Sequence, residues 1–284
     1  MNENSPQTLS VKDWLADATR QLVFAGIPSA RLDSELILAH TLHQNRSYLQ
    51  AHDDEELSDR TVEIANARLD LRLDRVPVAY IIGHKEFYGR RFRVSTATLI
   101  PRPESEVLIE LLDQAIPKNA ALLKEKPLKL IDVGTGSGIL GITAKLVYPE
   151  LDVTLSDISR HALKIAEHNA NQLGAEVSTL VSDLTTSFPF AADIIVANLP
   201  YVDPEWERSE ETKHEPDEAL FANDGGKALI FKLLLQTKSK LVTNGYLLLE
   251  ADPTQHLDII SEAKKYGLLL QDQKDYGLLL QKLS

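Results

Sequence analysis

The chain has 284 residues and a formal net charge of −12 at pH 7, with 43% hydrophobic and 25% charged residues. This size and composition predict a folded protein with one large domain and an appendage, or with two domains. The absence of cysteine excludes disulfides, a cysteine nucleophile and cysteine-ligated zinc. No apolar run approaches the roughly 18 residues of a membrane span, and the first residues lack the apolar core of a signal peptide, so a cytoplasmic location is expected.

The first 80 residues carry a helical periodicity. Val11, Trp14, Leu15, Ala18 and Leu22 follow the spacing of one helix face, after a candidate N-cap at Ser10. Two further helical patterns follow, around residues 32–40 and 58–73. We therefore expect a small helical bundle over residues 1–80, which serves either packing and dimerisation or the docking of a partner.

The pattern changes over residues 81–103. Aromatic and basic segments flank Gly89-Arg90 and predict a β-hairpin. Pro101 and Pro103 hold the backbone extended and prevent a helix until after the second proline. We expect residues 81–103 to connect the helical domain to a second domain over residues 104–284.

Strands and helices alternate from about residue 128 onward. Strands are predicted at Leu128–Val133, Asp152–Ser156, Glu176–Leu180, Asp193–Ala197 and Tyr246–Glu250. Such alternation predicts a mostly parallel sheet with right-handed crossovers. The hexapeptide Tyr266–Gln271 recurs unchanged at Tyr276–Gln281 and predicts a final antiparallel hairpin. The fold class is therefore α/β, a Rossmann-like domain preceded by a helical bundle.

A glycine-rich turn, Gly134-Thr135-Gly136-Ser137-Gly138, follows the first of these strands. Glycines allow a sharp turn and a close approach of the backbone to a ligand, and the next helix presents free N–H groups. The dinucleotide pattern G-x-G-x-x-G would place its third glycine at position 139, which is Ile139 here. The turn therefore favours a ligand without phosphates, such as S-adenosylmethionine, over a nicotinamide dinucleotide.

Two acids end the following strands. Asp157 can accept hydrogen bonds from both ribose hydroxyls, and Asp183 can accept one from an adenine amino group, with Leu184 packing on the ring. Each acid alone is typical of a helix cap or a turn. Their positions at the carboxyl ends of successive strands, beside the glycine turn, are where open α/β sheets bind ligands.

The loop Asn198-Leu199-Pro200-Tyr201 follows an apolar strand. The Asn198 side-chain oxygen and the Leu199 carbonyl can each accept one N–H of a substrate NH₂ group, and we expect Asn198 to border the cofactor as well. Pro200 restricts Leu199 to an extended backbone, and Tyr201 can stack on a planar amide or base. The loop predicts methyl transfer to a planar amino or amide nitrogen without a strong base.

These residues resemble the peptide chain release factor N5-glutamine methyltransferases. Four blocks carry the resemblance: Ala25–Ile27 with Ala30–Leu36; Ala97–Glu106; Asp132–Gly138 with Asp157–Ser159; and Asn198–Tyr201 with Glu215-Pro216 and Asp224-Gly225. The glycine turn is shared by most class I methyltransferases. The Ile100–Glu104 block combined with the Asn198–Tyr201 loop is much more specific, and the blocks span most of the chain.

The resemblance implies a class I S-adenosylmethionine-dependent methyltransferase domain and a helical domain that contacts the release factor. It implies methylation of the glutamine side-chain amide in the Gly-Gly-Gln motif of class 1 release factors, with S-adenosylhomocysteine as the product. The cofactor would be held by Gly134 through Gly138, Asp157, Asp183 and Leu184, and the glutamine by Asn198 through Tyr201. No metal, no membrane and no direct nucleic-acid contact are expected.

The chain departs from the family pattern at three places. Leu199 replaces the first proline of Asn-Pro-Pro-Tyr, but the backbone carbonyl survives this change. Leu184 occupies a position that is often aromatic, which weakens the expected stacking on adenine. The C-terminal hairpin carries the repeated hexapeptide in place of a polar, arginine-bearing ending.

Three alternatives stay open. A sister enzyme methylates a glutamine of a ribosomal protein. A ribosomal RNA adenine-N6 methyltransferase can carry Asn-Leu-Pro-Tyr itself, but the net charge of −12 and the helical domain argue against it. A local basic set keeps that alternative open: Lys85, Arg90, Arg91, Arg93 and Arg102. The third is a catalytically idle binding protein, which intact Asn198 and Asp157 disfavour.

Overall fold

The computed structural model describes residues 9–116 and 127–283, and the chain divides into two compact units. The first unit comprises Met1–Gly83 together with Glu210–His214, and the second comprises His84–Ser209 with Glu215–Ser284. Among the described residues, no helix combines the length and the apolar character needed to cross a membrane.

The first unit is helical. Its helices are α1 Val11–Phe24, α2 Ala30–Leu42, α3 Arg46–Ala51, α4 Asp59–Leu73 and α5 Val78–Ile82. The five residues predicted to share one face of α1 are all buried, and the predicted N-cap is confirmed, since the Ser10 side chain accepts a hydrogen bond from the Asp13 N–H. The two short helices α3 and α5 are additions that the periodicity did not predict.

Buried ion pairs join the helices of this unit. Arg72 in α4 is buried and donates to Asp33 Oδ2 at 2.7 Å and to Glu211 Oε1 at 3.1 Å. Glu35 in α2 is also buried and pairs with Arg46 Nη2 at 2.5 Å. Two acids of the first block of the resemblance therefore have structural partners inside the helical unit.

The second unit begins with a hairpin, β1 His84–Phe87 and β2 Arg90–Arg93, followed by α6 Glu106–Ala115. Its sheet contains β3 Lys129–Val133, β4 Asp152–Asp157, β5 Ser178–Val181, β6 Ala192–Ala197, β7 Leu241–Glu250, β8 Leu268–Lys274 and β9 Gly277–Lys282. The helices that follow α6 are α7 Ile139–Val147, α8 Arg160–Leu173, α9 Asp217–Leu220, α10 Ala228–Lys240 and α11 His256–Lys264.

The strand order of this seven-stranded sheet is β5-β4-β3-β6-β7-β9-β8. The strands from β5 through β7 are parallel, and β9 and β8 are antiparallel additions at one edge. Apolar residues cover both faces: Ile194 packs into one core and Ile195 into the other. The α/β fold class predicted from the alternation is confirmed.

The repeated hexapeptide forms the final hairpin, as predicted. Its two copies supply most of β8 and β9, with Leu270 opposite Leu280 and a register shift between Leu270 and Asp272. Lys282 ends β9 with its ammonium buried, where it donates to the carbonyls of Thr237, Lys238 and Leu241 at the end of α10. A cation at a helix C-terminus satisfies carbonyls that have no partner inside the helix.

The sheet changes winding direction at β3. Its neighbours are β4 on one side and β6 on the other, with Val133 opposite both Ser156 and Ala197. A crevice opens beyond the carboxyl ends of the strands at such a switch point, which is where open α/β sheets bind ligands.

Candidate active site

A cavity of 410 Å³ lies at the carboxyl ends of the central strands. Ten of the residues predicted from the sequence line it: Gly134, Thr135, Gly136, Ser137, Asp157, Asp183, Leu184, Asn198, Leu199 and Pro200. Gly138 and Tyr201 are not in its wall. The cavity therefore brings together the glycine turn, the two strand-end acids and most of the Asn198 loop.

The glycine turn needs glycine for two separate reasons. Gly134, Gly136 and Gly138 have positive φ angles of 69°, 54° and 88°, a region that residues with a Cβ avoid. At Gly138 a Cβ would also lie 2.5 Å from Ile142 Cδ1 and 3.2 Å from the Ala166 Cβ. Gly138 thus allows the start of α7 to pack closely, whereas the first two glycines shape the cavity wall.

Asp132 lies in the cavity wall just before the glycine turn, and sequence analysis did not include it among the site residues. Its Oδ2 accepts hydrogen bonds from Thr135 Oγ1 at 2.6 Å and from the Gly141 N–H at 2.9 Å. Its Oδ1 is buried and has no hydrogen-bond partner among the described residues. Burial raises the pKa of Asp132 to about 6, opposed by these two hydrogen bonds and assisted by the nearby charge of Asp157.

Asp157 ends β4 and lies on the same wall. Its Oδ2 accepts from the Gly136 N–H at 2.9 Å, and its Oδ1 accepts from the Ser159 N–H at 2.8 Å. Burial raises the pKa of its carboxyl, and these backbone N–H groups oppose the rise. Because each carboxylate oxygen has two lone pairs, Asp157 can still accept hydrogen bonds from a ligand.

Asp183 and Leu184 occupy the next position along the cavity. Asp183 is half-exposed, and its Oδ2 pairs with Lys232 Nζ at 2.6 Å, so its other oxygen is available to a ligand amino group. Leu184 is buried in the left-handed region at φ 50°. This conformation turns the chain at the end of β5 and places the leucine in the cavity wall.

Asn198 follows β6 and has a defined side-chain partner. Its Nδ2 donates to Ser105 Oγ, at the start of α6, over 2.9 Å. With the NH₂ group committed to Ser105, the carbonyl oxygen Oδ1 is the end of the amide that can accept from a ligand. Leu199 is buried beside it and packs into the core beneath the loop.

Tyr201 is held at both its side chain and its backbone. Its hydroxyl donates to Glu250 Oε1 at 3.0 Å, and its carbonyl accepts from Gln255 Nε2 at 2.8 Å. Burial raises the pKa of the Tyr201 phenol well above its ordinary value, with the Glu250 carboxyl adding to the rise. The phenol therefore stays protonated, and it donates to the Glu250 carboxylate.

The segment with two prolines is fixed to the cavity by Glu215. This carboxylate is buried, accepts from the Ile100 N–H at 3.1 Å and pairs with the Arg102 guanidinium. Ile100 through Arg102 and the nearby residue Glu218 all line the cavity. Two blocks that carry the sequence resemblance, more than 100 positions apart, are thus joined beside the same cavity.

Three residues beside the Asn198 loop were not predicted: Ser105, Glu250 and Gln255. Glu250 carries the signal that identified Asp157 and Asp183, because it is an acid that ends an apolar strand. Ser105 and Gln255 are polar residues at the starts of helices, and no local sequence pattern distinguishes them from ordinary helix-capping residues. Their importance for the loop emerges only from contacts across the sheet.

Two family models match the chain. Residues 13–83 match the PrmC N-terminal domain, and residues 104–215 match the methyltransferase small domain. A methyltransferase from Pyrococcus furiosus has a similar fold, with a TM-score of 0.53 at 16% identity over 77% of this chain and 98% of that one. Fold and site together define an enzyme of the methyltransferase class.

Curated relatives narrow this class. The release factor glutamine methyltransferase of Deinococcus radiodurans is 33% identical over 262 residues, covering 91% of this chain and 92% of the relative. That of Koribacter versatilis is 36% identical over 259 residues, covering 88% and 90%. The chain belongs to the release factor glutamine methyltransferase family.

Proposed function

We propose that this enzyme transfers the methyl group of S-adenosylmethionine to the glutamine side-chain amide in the Gly-Gly-Gln motif of class 1 release factors. The observation that carries the proposal is the Asn198 amide, whose NH₂ group is bound by Ser105 and whose oxygen is left to accept from a substrate N–H. Family membership supports the substrate class, and a substrate in translation termination agrees with the cytoplasmic location expected from the sequence.

The cavity fits S-adenosylmethionine in three respects. The glycine turn offers backbone N–H groups without the third glycine of the dinucleotide pattern. Asp132, a carboxyl in the cavity wall, supplies a negative charge that can attract a cationic group of the ligand. Asp157 can accept the ribose hydroxyls, and Asp183 with Leu184 can bind the adenine. When bound, the cofactor supplies a methyl group on a positively charged sulfur.

The Asn198 loop would orient the methyl acceptor. Asn198 Oδ1 and the Leu199 carbonyl can each accept one N–H of the glutamine amide, which turns the nitrogen lone pair toward the donor. The Tyr201 ring, at the end of the loop outside the cavity wall, would stack on the planar amide of the glutamine. Methyl transfer to the nitrogen held by Asn198 and Leu199 would leave it cationic, and it would then lose a proton to water.

We also propose that the helical domain, residues 1–80, docks the release factor. Among the described residues it carries a fully exposed aromatic side chain, Phe24, which is 97% exposed beside a half-exposed Val23 at the end of α1. Exposed apolar side chains that adjoin each other are typical of protein contact sites.

The test is incubation of the protein with S-adenosylmethionine and an unmodified class 1 release factor, followed by peptide mass spectrometry. Parallel samples contain ribosomal protein and ribosomal RNA. One added methyl on the Gly-Gly-Gln glutamine is the expected result. Methyl transfer only to a ribosomal protein or to RNA would keep the chemistry and overturn the substrate. Cofactor binding without transfer to any of them would favour the idle binding protein.

A further inference from the structure

Glu250 is a buried carboxylate that lies behind the Asn198 loop, outside the cavity. It is the last residue of β7, and 1% of its surface is exposed. Its Oε1 accepts the Tyr201 hydroxyl at 3.0 Å, whereas its Oε2 is buried without a hydrogen-bond partner among the described residues. Burying a carboxylate costs free energy unless the charge is paired or fully hydrogen-bonded. A glutamate at this position therefore suggests a functional role.

Ser105 is the hydrogen-bond partner of the Asn198 amide and lies near Glu250. The Ser105 side chain is completely buried, and its Oγ accepts from Asn198 Nδ2 at 2.9 Å. The side chains of Ser105 and Asn198 both lie near the Glu250 carboxyl and lower its pKa, although its hydrogen-bond partner among the described residues is Tyr201. An ionised carboxylate only accepts hydrogen bonds, so its charge favours a Ser105 hydroxyl whose hydrogen points toward Glu250 and whose oxygen accepts from Asn198.

We propose that Glu250 is a positioning residue for the methyl acceptor, which sets the orientation of the Asn198 amide through Ser105 and holds the Tyr201 ring directly. The inference rests on the proposed function, because it concerns how the loop presents Asn198 Oδ1 to the substrate. A reversed hydrogen-bond chain would present Nδ2 instead, and an N–H donor cannot bind the N–H groups of a glutamine amide.

This role requires an ionised Glu250. Burial raises the pKa of Glu250; the side chains of Ser105, Tyr201 and Asn198 oppose the rise, and the charge of Glu104 adds to it. Asp252 and Tyr276 also face the Tyr201 phenol. As the pH falls through the raised pKa, Glu250 gains a proton and becomes a donor, which removes the constraint on Ser105. Turnover is then lost on the acid side at a higher pH than an exposed glutamate would give.

The decisive variant is Glu250→Gln, which keeps the shape of the side chain and replaces one acceptor oxygen with a donor. We expect turnover at saturating substrates to fall by about 10²-fold, as for loss of one oriented transition-state contact. The affinity for S-adenosylmethionine should stay within about twofold, because Glu250 lies outside the cavity. Glu110→Gln, at an exposed glutamate that pairs with Lys274, is the matched control and should behave as wild type.

Two further readouts separate positioning from mere structural support. The acid limb of the wild-type pH profile of turnover should be absent in Glu250→Gln. In ¹⁵N-labelled protein, the Asn198 side-chain NH₂ signals should shift as Glu250 titrates in the wild type, and stay fixed over that pH range in the variant. The second measurement uses no methyl acceptor, so its result holds whatever the substrate proves to be.

The outcomes distinguish this proposal from the proposed function. Wild-type protein that methylates no release factor would overturn the substrate, and the Asn198 signals would still decide the role of Glu250. Glu250→Gln that turns over at the wild-type rate with an unchanged acid limb would overturn the positioning role alone. Asn198 side-chain NH₂ signals that do not shift with pH in the wild type would also overturn the positioning role.

Discussion

Leu199 lies directly against the backbone of Gly134: a Cβ on that glycine would be 3.0 Å from Leu199 Cδ2. The contact follows from the sheet, because β3 and β6 are neighbours and Val133 pairs with Ala197 one position before each turn. The glycine turn and the Asn198 loop therefore leave the sheet side by side. The Leu199 side chain fills the space beside the glycine.

Asp157→Ala should weaken binding of S-adenosylmethionine by about tenfold or more, or about 1.4 kcal/mol. The change removes the proposed acceptor for the ribose hydroxyls and also the bonds from the Gly136 and Ser159 N–H groups. Isothermal titration calorimetry measures the dissociation constant directly. Asp157→Asn keeps one acceptor oxygen, so its dissociation constant should lie between those of the wild type and the alanine variant. An unchanged dissociation constant in the alanine variant would remove the ribose role.

Asp132 should make folding stability depend on pH in a defined direction. Burial raises the pKa of Asp132 to about 6 in the folded protein, against about 3.9 in an unfolded chain. Between these values the folded chain holds a proton that the unfolded chain has lost. Stability from this group is therefore greatest at low pH and falls as the pH rises toward 6, by about 3 kcal/mol in all.

The comparison of wild type with Asp132→Asn isolates this effect, because other titrating groups cancel. From pH 4.5 to pH 7.5 the free energy of unfolding of the wild type should fall relative to the variant. Urea unfolding at the two pH values supplies both free energies. A difference that does not change with pH would mean that Asp132 titrates near its ordinary value.

Gly226→Ala should displace the Asn198 loop. A Cβ at Gly226 would lie 1.9 Å from the Tyr201 carbonyl oxygen and 2.6 Å from Gln255 Nε2, the pair that anchors the end of the loop. Gly225→Ala is a matched control, because its φ is also positive but its Cβ would lie 3.6 Å from Lys227 Cε. Both variants should lose about 1–2 kcal/mol through left-handed strain.

Only Gly226→Ala should also lose turnover, by at least about tenfold, because Tyr201 must move. Methyl-transfer rates and melting temperatures for the two variants provide the test. Equal turnover in both would show that the Tyr201 anchor does not affect the reaction.

Arg72→Ala should destabilise the helical unit by about 3–5 kcal/mol, because it leaves the buried carboxylate of Asp33 without its cation. Arg60→Ala, at an exposed arginine of the same helix, is the control and should change stability by less than about 0.5 kcal/mol. If Arg72→Ala lowered the free energy of unfolding only as little as Arg60→Ala, the ion pair would contribute nothing to stability.

Tryptophan fluorescence can follow this unfolding selectively. Trp14 is buried in α1 and donates to Asn66 Oδ1 at 2.8 Å, so its emission should report on the helical unit. The chain has one other tryptophan besides Trp14, and the substitution Trp206→Phe in every variant removes that second signal.

The strand-end residues were predictable because periodicity places them. An apolar strand followed by glycines or an acid identifies a carboxyl end, and parallel strands collect such ends at one edge of the sheet. That argument identifies Asp157, Asp183 and Asn198 from the sequence alone, and the cavity brings these three together.

The supporting contacts could not be predicted in this way. Ser105 is 93 positions from Asn198, and Gln255 is 54 positions from Tyr201. Contacts between residues so far apart in the sequence depend on how the helices and loops pack on the sheet. A single polar side chain also produces no periodic pattern that sequence analysis could detect. Similarly, nothing local marks Glu211 as a partner of Arg72 in the helical unit.

The most direct test of the proposed reaction is a single-turnover measurement with preformed enzyme and S-adenosylmethionine, mixed with an unmodified class 1 release factor. Wild type is compared with Asn198→Ala, and methylation of the Gly-Gly-Gln glutamine is followed by mass spectrometry. We predict a rate about 10²-fold lower or more in the variant, with cofactor binding nearly intact, because one oriented acceptor is lost. An equal rate, or equal loss of cofactor binding and transfer, would contradict the role of Asn198.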